Sequence, residues 1–222
     1  QRQSRVENGA MTYIAERRQE ERDRRRNEIV DAAEALYAEV GWDAVTMDQV
    51  ARRARLSRAL VYVYFHDKAD LHFALVERSL EELRRRFEAA HEGKVRGIDQ
   101  VEAIGRAYLE FARELPHYFD ACARYQAHAG ADGAPQPNEC ACMGAGHRVH
   151  EVIVDALGRG VTDGSIRADI GNLYVTALAL WAFSHGLIQI ASTKAGQMAH
   201  QGIPVQTFVD HAFAMALRTL QP

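Results

Sequence analysis

Two short apolar stretches, each opened by a hydroxyl residue suited to cap a helix, constrain this chain more than anything else in it. Thr46 with Gln49 three residues later has the pattern of a capping box. It opens a short helix over Met47–Arg53 that buries Val50 and Ala51. Ser57 caps a second helix, and Leu56 before the cap packs with Val61 as a hydrophobic staple. The turn Arg53-Ala54-Arg55 joins the two. Two short helices held at a fixed angle by a tight turn give helix-turn-helix spacing. Val61 and Phe65 are expected to face inward. Ser57, Arg58, Ala59, Leu60, Tyr62 and Val63 are left for the outer face.

The segments around this motif are helical too. Ile29, Ala33, Leu36, Tyr37 and Val40 recur at helical spacing in a helix read from Asp23 to Val40, stopped by Gly41. The stretch Trp42-Asp43-Ala44-Val45 reads as a loop. Asp67 caps a longer helix through about Ala90. After Gly93 and Gly97, further helices are expected near 98–114, 116–129, 138–159, 169–195 and 204–220, with Pro116 and Pro204 at helix starts. Residues 130–138, with Pro135 and Pro137, read as a loop. No useful strand alternation occurs, so the fold class is all-α with about nine helices.

Charge is uneven along the chain. The overall formal charge is −3, with 26% charged residues. Yet residues 1–26 hold eight arginines against five acids, and residues 44–69 hold five cations against two acids, so each stretch is net +3. The first stretch is taken as a solvated arm without fixed structure; a tail reaching a minor groove is the other reading. The start carries no apolar signal region, and the missing Met reads as trimming. Three cysteines are too few for a disulfide framework, which points to a reducing cytoplasm. Ile170 to Thr193 has no formal charge and spanning length. Its Asn172, Thr176, Ser184, His185 and Gln189 favour a helix buried on most sides that also serves a dimer, so no membrane is expected.

The run from Thr46 to Leu71, ending in Tyr62-Val63-Tyr64-Phe65-His66-Asp67-Lys68, resembles the TetR family of transcriptional regulators. Ile29, Ala32, Ala33, Leu36 and Gly41 fit that family's first helix. Gly164 to Asp169 and Trp181 to Leu187 resemble a subgroup with a Trp and then His-Gly in the penultimate helix. The resemblance implies a homodimeric DNA-binding protein, usually a repressor, released by a small ligand in its C-terminal part. Arg55 departs from the glycine common in the family's turn. It must adopt a left-handed backbone or alter the turn.

The expected organisation is a charged arm at 1–22, a three-helix DNA-binding domain at 23–84 with its motif at 46–65, and a ligand-binding and dimerisation domain at 85–222. Candidate DNA contacts are Thr46, Arg55, Ser57, Arg58, Ala59, Leu60, Tyr62, Tyr64 and Lys68. Arg58 suits guanine or phosphate, Ala59 and Leu60 a thymine methyl, and Tyr62, Tyr64 and Lys68 phosphates. Candidate effector contacts are Tyr108, Phe111, Phe119, Tyr125, Trp181 and His185, with plain core packing as the other reading of each. The partners expected are double-stranded DNA with a pseudo-palindromic operator, a small partly apolar effector, and a second copy of the chain through helices near 169–195 and 204–220.

Glu139-Cys140-x-Cys142, with His147 and His150 following, offers an alternative sensor for metal or oxidant, placed across a loop-to-helix junction. No metal or cofactor is assigned. No catalytic motif occurs: Ser184 and His185 are adjacent and point to different helix faces. An all-α enzyme or carrier is the remote alternative.

Overall fold

The computed structural model describes residues 2–125 and 136–222, with side chains from residue 15 onward. Residues 126–135 lie outside the described residues, and with them the end of the helix expected over 116–129 and most of the expected 130–138 loop. Among the described residues there are ten α-helices, one 3-10 turn and no strand. They are α1 (Arg2–Val40), α2 (Met47–Ala54), α3 (Arg58–Tyr64), α4 (Lys68–His91), α5 (Gly97–Glu114), α6 (Pro116–Arg124), α7 (Pro137–Asp163), α8 (Leu173–Thr193), α9 (Ala195–His200) and α10 (Val205–Leu220). The all-α expectation holds, with one more short helix than expected. The chain separates into two compact units, residues 1–75 and 76–222, dividing within α4 and before the boundary expected after residue 84.

The first unit is built on the inner faces of short helices. Ile29, Val30 and Ala33 of α1, Val50 of α2, Val61 of α3, and Phe65 and Leu71 are buried together with Trp42. Trp42 lies in the 3-10 turn Trp42–Ala44, where a loop was expected, and its ring is 5.3 Å from that of Tyr37. Arg53 of α2 forms two hydrogen bonds, of 2.9 and 2.6 Å, to the Glu39 carboxylate of α1. Ahead of α4, Asp67 Oδ1 accepts from the Asp70 N–H at 2.8 Å, and Asp70 Oδ2 accepts from the His66 N–H at 2.9 Å. The backbone bond from Asp70 is the main reason the Asp67 carboxyl is held below its ordinary range.

The charged arm expected at 1–22 is instead a continuation of α1, whose backbone is helical from Arg2. Apolar periodicity does not reveal this, because every residue from 16 to 26 is charged or polar. Ion pairs across one helical turn support it: Glu21 with Arg24 and Arg25, and Arg25 with Glu28.

In the second unit, α5 crosses α7 at closest backbone approach. A Cβ on Gly97 would lie 2.0 Å from the backbone nitrogen of Gly160, and a Cβ on Gly160 would lie 2.4 Å from Ile166 Cδ1. The same contact caps α5 from a distance. Asp163 Oδ2 accepts from the Gly97 N–H at 2.8 Å, and Ser165 Oγ accepts from the Ile98 N–H at 3.1 Å. Phe87, Ile104, Tyr108, Phe111, Ile153 and Leu157 fill the core around them. Helix α8 starts later than expected because Gly171 turns the chain at φ 80° and Asn172 Oδ1 caps Val175 N–H at 3.1 Å.

Candidate functional site

The outer surface of α3 is presented by a rigid frame. Both halves of the expected capping box are present: Thr46 N–H donates to Gln49 Oε1 at 2.7 Å, and Gln49 N–H donates to Thr46 Oγ1 at 3.3 Å. Helix α2 closes in a Schellman motif, with Arg55 N–H bonded to Arg52 O at 3.2 Å and Leu56 N–H to Ala51 O at 2.9 Å. Arg55 takes the left-handed conformation that glycine would favour, at φ 58° and ψ 38°, and its side chain is exposed. Ser57 Oγ then accepts from Leu60 N–H at 3.2 Å. Val61 and Phe65 are completely buried.

What this frame leaves outside matches a groove-reading face in residue type. Thr46, Ser57, Arg58, Ala59, Tyr62 and Val63 are exposed, while Leu60, Tyr64 and Lys68 are half-buried. Two of the cations already have partners. Arg58 Nε lies 3.1 Å from Asp48 Oδ1, and the guanidinium sits 5.5 Å from the Tyr62 ring centroid. Lys68 Nζ donates to the Asp43 carbonyl oxygen at 3.3 Å and lies 5.0 Å from the Trp42 ring centroid. The sequence reading missed Trp42, Asp43 and Asp48 in these roles. The proximity of Trp42 to Lys68 crosses two helices and leaves no local signal.

The second unit contains a cavity of about 640 Å³. Its wall brings together residues far apart in the chain: Val76, Leu80 and Leu83 of α4, Tyr108 of α5, Cys122 of α6 and Tyr125 at its end, Cys142, Gly146, His147 and His150 of α7, and Tyr174, Trp181 and His185 of α8. Four of the six expected effector residues line it: Tyr108, Tyr125, Trp181 and His185. Phe111 and Phe119 do not. Phe111 is completely buried against Tyr108, with ring centroids 6.3 Å apart. Phe119 instead stacks on the His185 ring, at 4.6 Å and 22°. Among the described residues lining the cavity, none is Asp, Glu, Lys or Arg.

A short polar relay runs along this wall. Trp181 Nε1–H donates to Tyr108 Oη at 3.3 Å, and Tyr108 Oη lies 2.9 Å from His185 Nδ1. Burial pushes the Tyr108 hydroxyl well above its usual pKa and lowers that of His185, which favours the neutral form of each. On α7, His150 Nδ1–H donates to Gly146 O at 3.0 Å, leaving its buried Nε2 without a partner among the described residues.

The donors of the alternative sensor do not converge on a metal site among the described residues. Its donors do not straddle a junction, because α7 begins at Pro137 and carries all of them. Proline at the first helical position and the fixed φ it brings start the helix ahead of the cysteines. Cys140 is exposed and Cys142 is buried. His147 Nε2 is 3.3 Å from Glu151. Among the described residues no three His, Cys, Asp or Glu side chains converge to hold a metal. Burial also pushes the Cys122 and Cys142 thiols up to about 12, which disfavours the thiolate at neutral pH.

Helix α8 is the one helix among the described residues long and apolar enough to cross a membrane, and only 17% of its apolar window is buried. The expectation that it is buried on most sides therefore fails for a single chain. Tyr174, Val175, Leu178, Phe183 and Ile190 are exposed, as is Met215 of α10. Val175, Leu178, Ala182 and Gln189 follow the spacing of one helix face.

The family model of bacterial regulatory proteins of the tetR family matches residues 29–75, and that of the tetracyclin repressor-like C-terminal domain matches residues 101–219. The HTH-type transcriptional regulator HbdR of Aromatoleum sp. is 32% identical over 79 residues, covering 36% of this chain and 34% of that protein. The HTH-type transcriptional activator FasR of Mycolicibacterium smegmatis is 28% identical over 90 residues, covering 40% of this chain and 41% of that protein. These alignments thus span well under half the length of those relatives. A solved structure of a protein of unknown function from Rhodococcus sp. RHA1 superposes with TM-score 0.71 at 27% identity, covering 89% of this chain and 96% of that one. With family models matching both the helix-turn-helix and most of the second unit, the chain belongs to the TetR family of bacterial transcriptional regulators.

Proposed function

We propose that this protein is a cytoplasmic repressor that binds a pseudo-palindromic operator as a homodimer and is released when a small, partly apolar effector fills the cavity of its second unit. The observation that carries the reading is the exposed face of α3, with Ser57, Arg58, Ala59 and Tyr62 held outward on a doubly capped frame. A major groove about 12 Å wide admits such a helix. Arg58 suits a guanine edge or phosphate, Ala59 and Leu60 a thymine methyl, and Tyr62, Tyr64 and Arg55 the phosphates that set register. Lys68, at the start of α4, is a further candidate phosphate contact.

The dimer reading is supported by the apolar residues that α8 and α10 leave exposed, which a matching pair from a second copy would cover as a four-helix bundle. Two α3 helices about 34–36 Å apart would then meet successive major grooves. The release reading is supported by α4. This one helix carries Lys68 at its start, and Val76, Leu80 and Leu83 from its wall to the cavity. An effector shifts binding only by the difference in its affinity for the two positions of that helix.

The test is selection of bound fragments from genomic DNA, followed by titration of the selected duplex at moderate salt. Arg58→Ala with Tyr62→Ala is expected to weaken binding on the order of 100-fold and to flatten its salt dependence. Unchanged affinity in that variant would sink the DNA-binding assignment of α3.

A further inference from the structure

The hydrogen-bond relay on the cavity wall has a fixed direction, and that direction specifies what the cavity accepts. Indole Nε1–H only donates, so the Trp181 contact uses a lone pair of Tyr108 Oη. Tyr108 is 2% exposed, and among the described residues its hydroxyl proton has one acceptor in reach, His185 Nδ1 at 2.9 Å. Donation from the Tyr108 hydroxyl to Nδ1 is the arrangement that gives this proton a partner among the described residues. A neutral imidazole that accepts at Nδ1 carries its proton on Nε2. The relay ends in an Nε2–H donor on a residue that lines the cavity, with no protein acceptor among the described residues.

The rest of the wall sharpens the specification. Among the described lining residues there is no Lys or Arg, so a carboxylate or phosphate there would lose its hydration without a fixed cation from them to offset the cost. Leu80, Leu83, Tyr125, Tyr174 and Trp181 offer flat and aliphatic surface that suits a ring. Resting on the reading of this cavity as the effector site, we infer that the effector is an uncharged, ring-bearing molecule whose neutral acceptor oxygen, of the ketone class, takes the hydrogen bond from His185 Nε2–H. Trp181 and Tyr108 act as positioning residues that lock the imidazole tautomer.

Three compounds on one frame test this by equilibrium dialysis against the full chain: 4-phenylcyclohexanone, phenylcyclohexane and 4-phenylcyclohexanecarboxylate. The ketone is expected to bind about five-fold or more tighter than the hydrocarbon, the range one net hydrogen bond supplies, and the carboxylate at least about ten-fold weaker than the hydrocarbon. In His185→Phe, which keeps a ring against Phe119, the ketone's advantage over the hydrocarbon should vanish while hydrocarbon binding stays. His185→Gln, whose amide also donates, should restore part of it. Tyr108→Phe should reduce the advantage, because either nitrogen can then hold the proton. A ketone advantage that survives in His185→Phe, a carboxylate that binds best, or no retention of the ketone overturns the ligand class. The cavity reading fails separately. A Cβ on Gly146 would lie 3.8 Å from Leu80 Cδ1, so Gly146→Leu fills the space without a clash at Cβ. Binding of all three compounds unchanged in Gly146→Leu would place their site elsewhere and remove both conclusions.

Discussion

The two units of this protein are built by opposite strategies. In the first, the contacts that frame α3 are local. Thr46 bonds Gln49, Ser57 caps Leu60, Asp67 pairs with Asp70, and Arg55 closes α2 onto Arg52 and Ala51. In the second, the decisive contacts join residues far apart in the chain. Gly97 meets Gly160, Asp163 and Ser165 cap α5 from the end of α7, and Tyr108 meets Trp181 and His185. A surface that must fit a regular duplex gains from a frame fixed by neighbouring residues, since little can misplace it. A cavity has to be enclosed from several directions, so its walls are drawn from helices distant in sequence.

The largest expected effect tests the long-range strategy. Gly97→Ala would set a methyl 2.0 Å from Gly160 N and 2.6 Å from Ala156 O, both backbone atoms that no side-chain rotation can relieve. Separating α5 from α7 should cost about 3 kcal/mol or more, read as a fall in the urea midpoint. The control is Gly146→Ala within α7, where space exists and helix propensity improves by up to ~1 kcal/mol. Equal effects from the two substitutions would refute close backbone packing as the organising contact.

The local strategy predicts smaller costs. Thr46→Ala removes one side of the capping box and should destabilise by about 1 kcal/mol. Because α2 positions α3, DNA affinity should fall with it, while ketone retention in the second unit stays as it was. Loss of ketone binding in Thr46→Ala would break the division between the two strategies.

The same contrast explains what the amino-acid order reveals. The caps at Thr46 and Ser57, the buried Val61 and Phe65, and the awkward backbone of Arg55 are readable because each depends on residues within a few positions. The helical continuation of α1 is hidden because ion pairs such as Glu21–Arg24, rather than apolar periodicity, accompany it. Phe111 and Phe119 have the composition of pocket residues, and only the packing shows that one fills the core and the other backs His185. Cys122, Cys142, Tyr174 and His150 reach the cavity from helices whose adjacency no local pattern encodes.

Arg55 separates folding from binding within the first unit. A non-glycine residue in the left-handed region is held there at a cost of about 1–2 kcal/mol. Arg55→Gly relieves that cost, although a more flexible unfolded chain offsets part of the gain. Stability should rise by up to ~1 kcal/mol while DNA affinity falls, because a cation beside the recognition surface is gone. A variant that is both more stable and equally tight on DNA would show that Arg55 has no part in binding.

The smallest effect concerns Asp48, which holds Arg58 through a contact of 3.1 Å with both side chains largely exposed. An exposed ion pair of this kind contributes on the order of 0.2–1 kcal/mol. Arg58 must give up at least part of it to reach a base or phosphate, and the Asp48 carboxylate sits where a polyanion would approach. Asp48→Asn removes the competing charge and leaves the shape. It should tighten binding to the selected duplex by about two- to five-fold, with little change in the urea midpoint. If Arg58 instead reads DNA while still paired, with Asp48 orienting the guanidinium, the same substitution would weaken binding and relax its sequence preference. The sign of the change therefore decides whether the pair restrains the recognition face in the free protein or belongs to it on DNA.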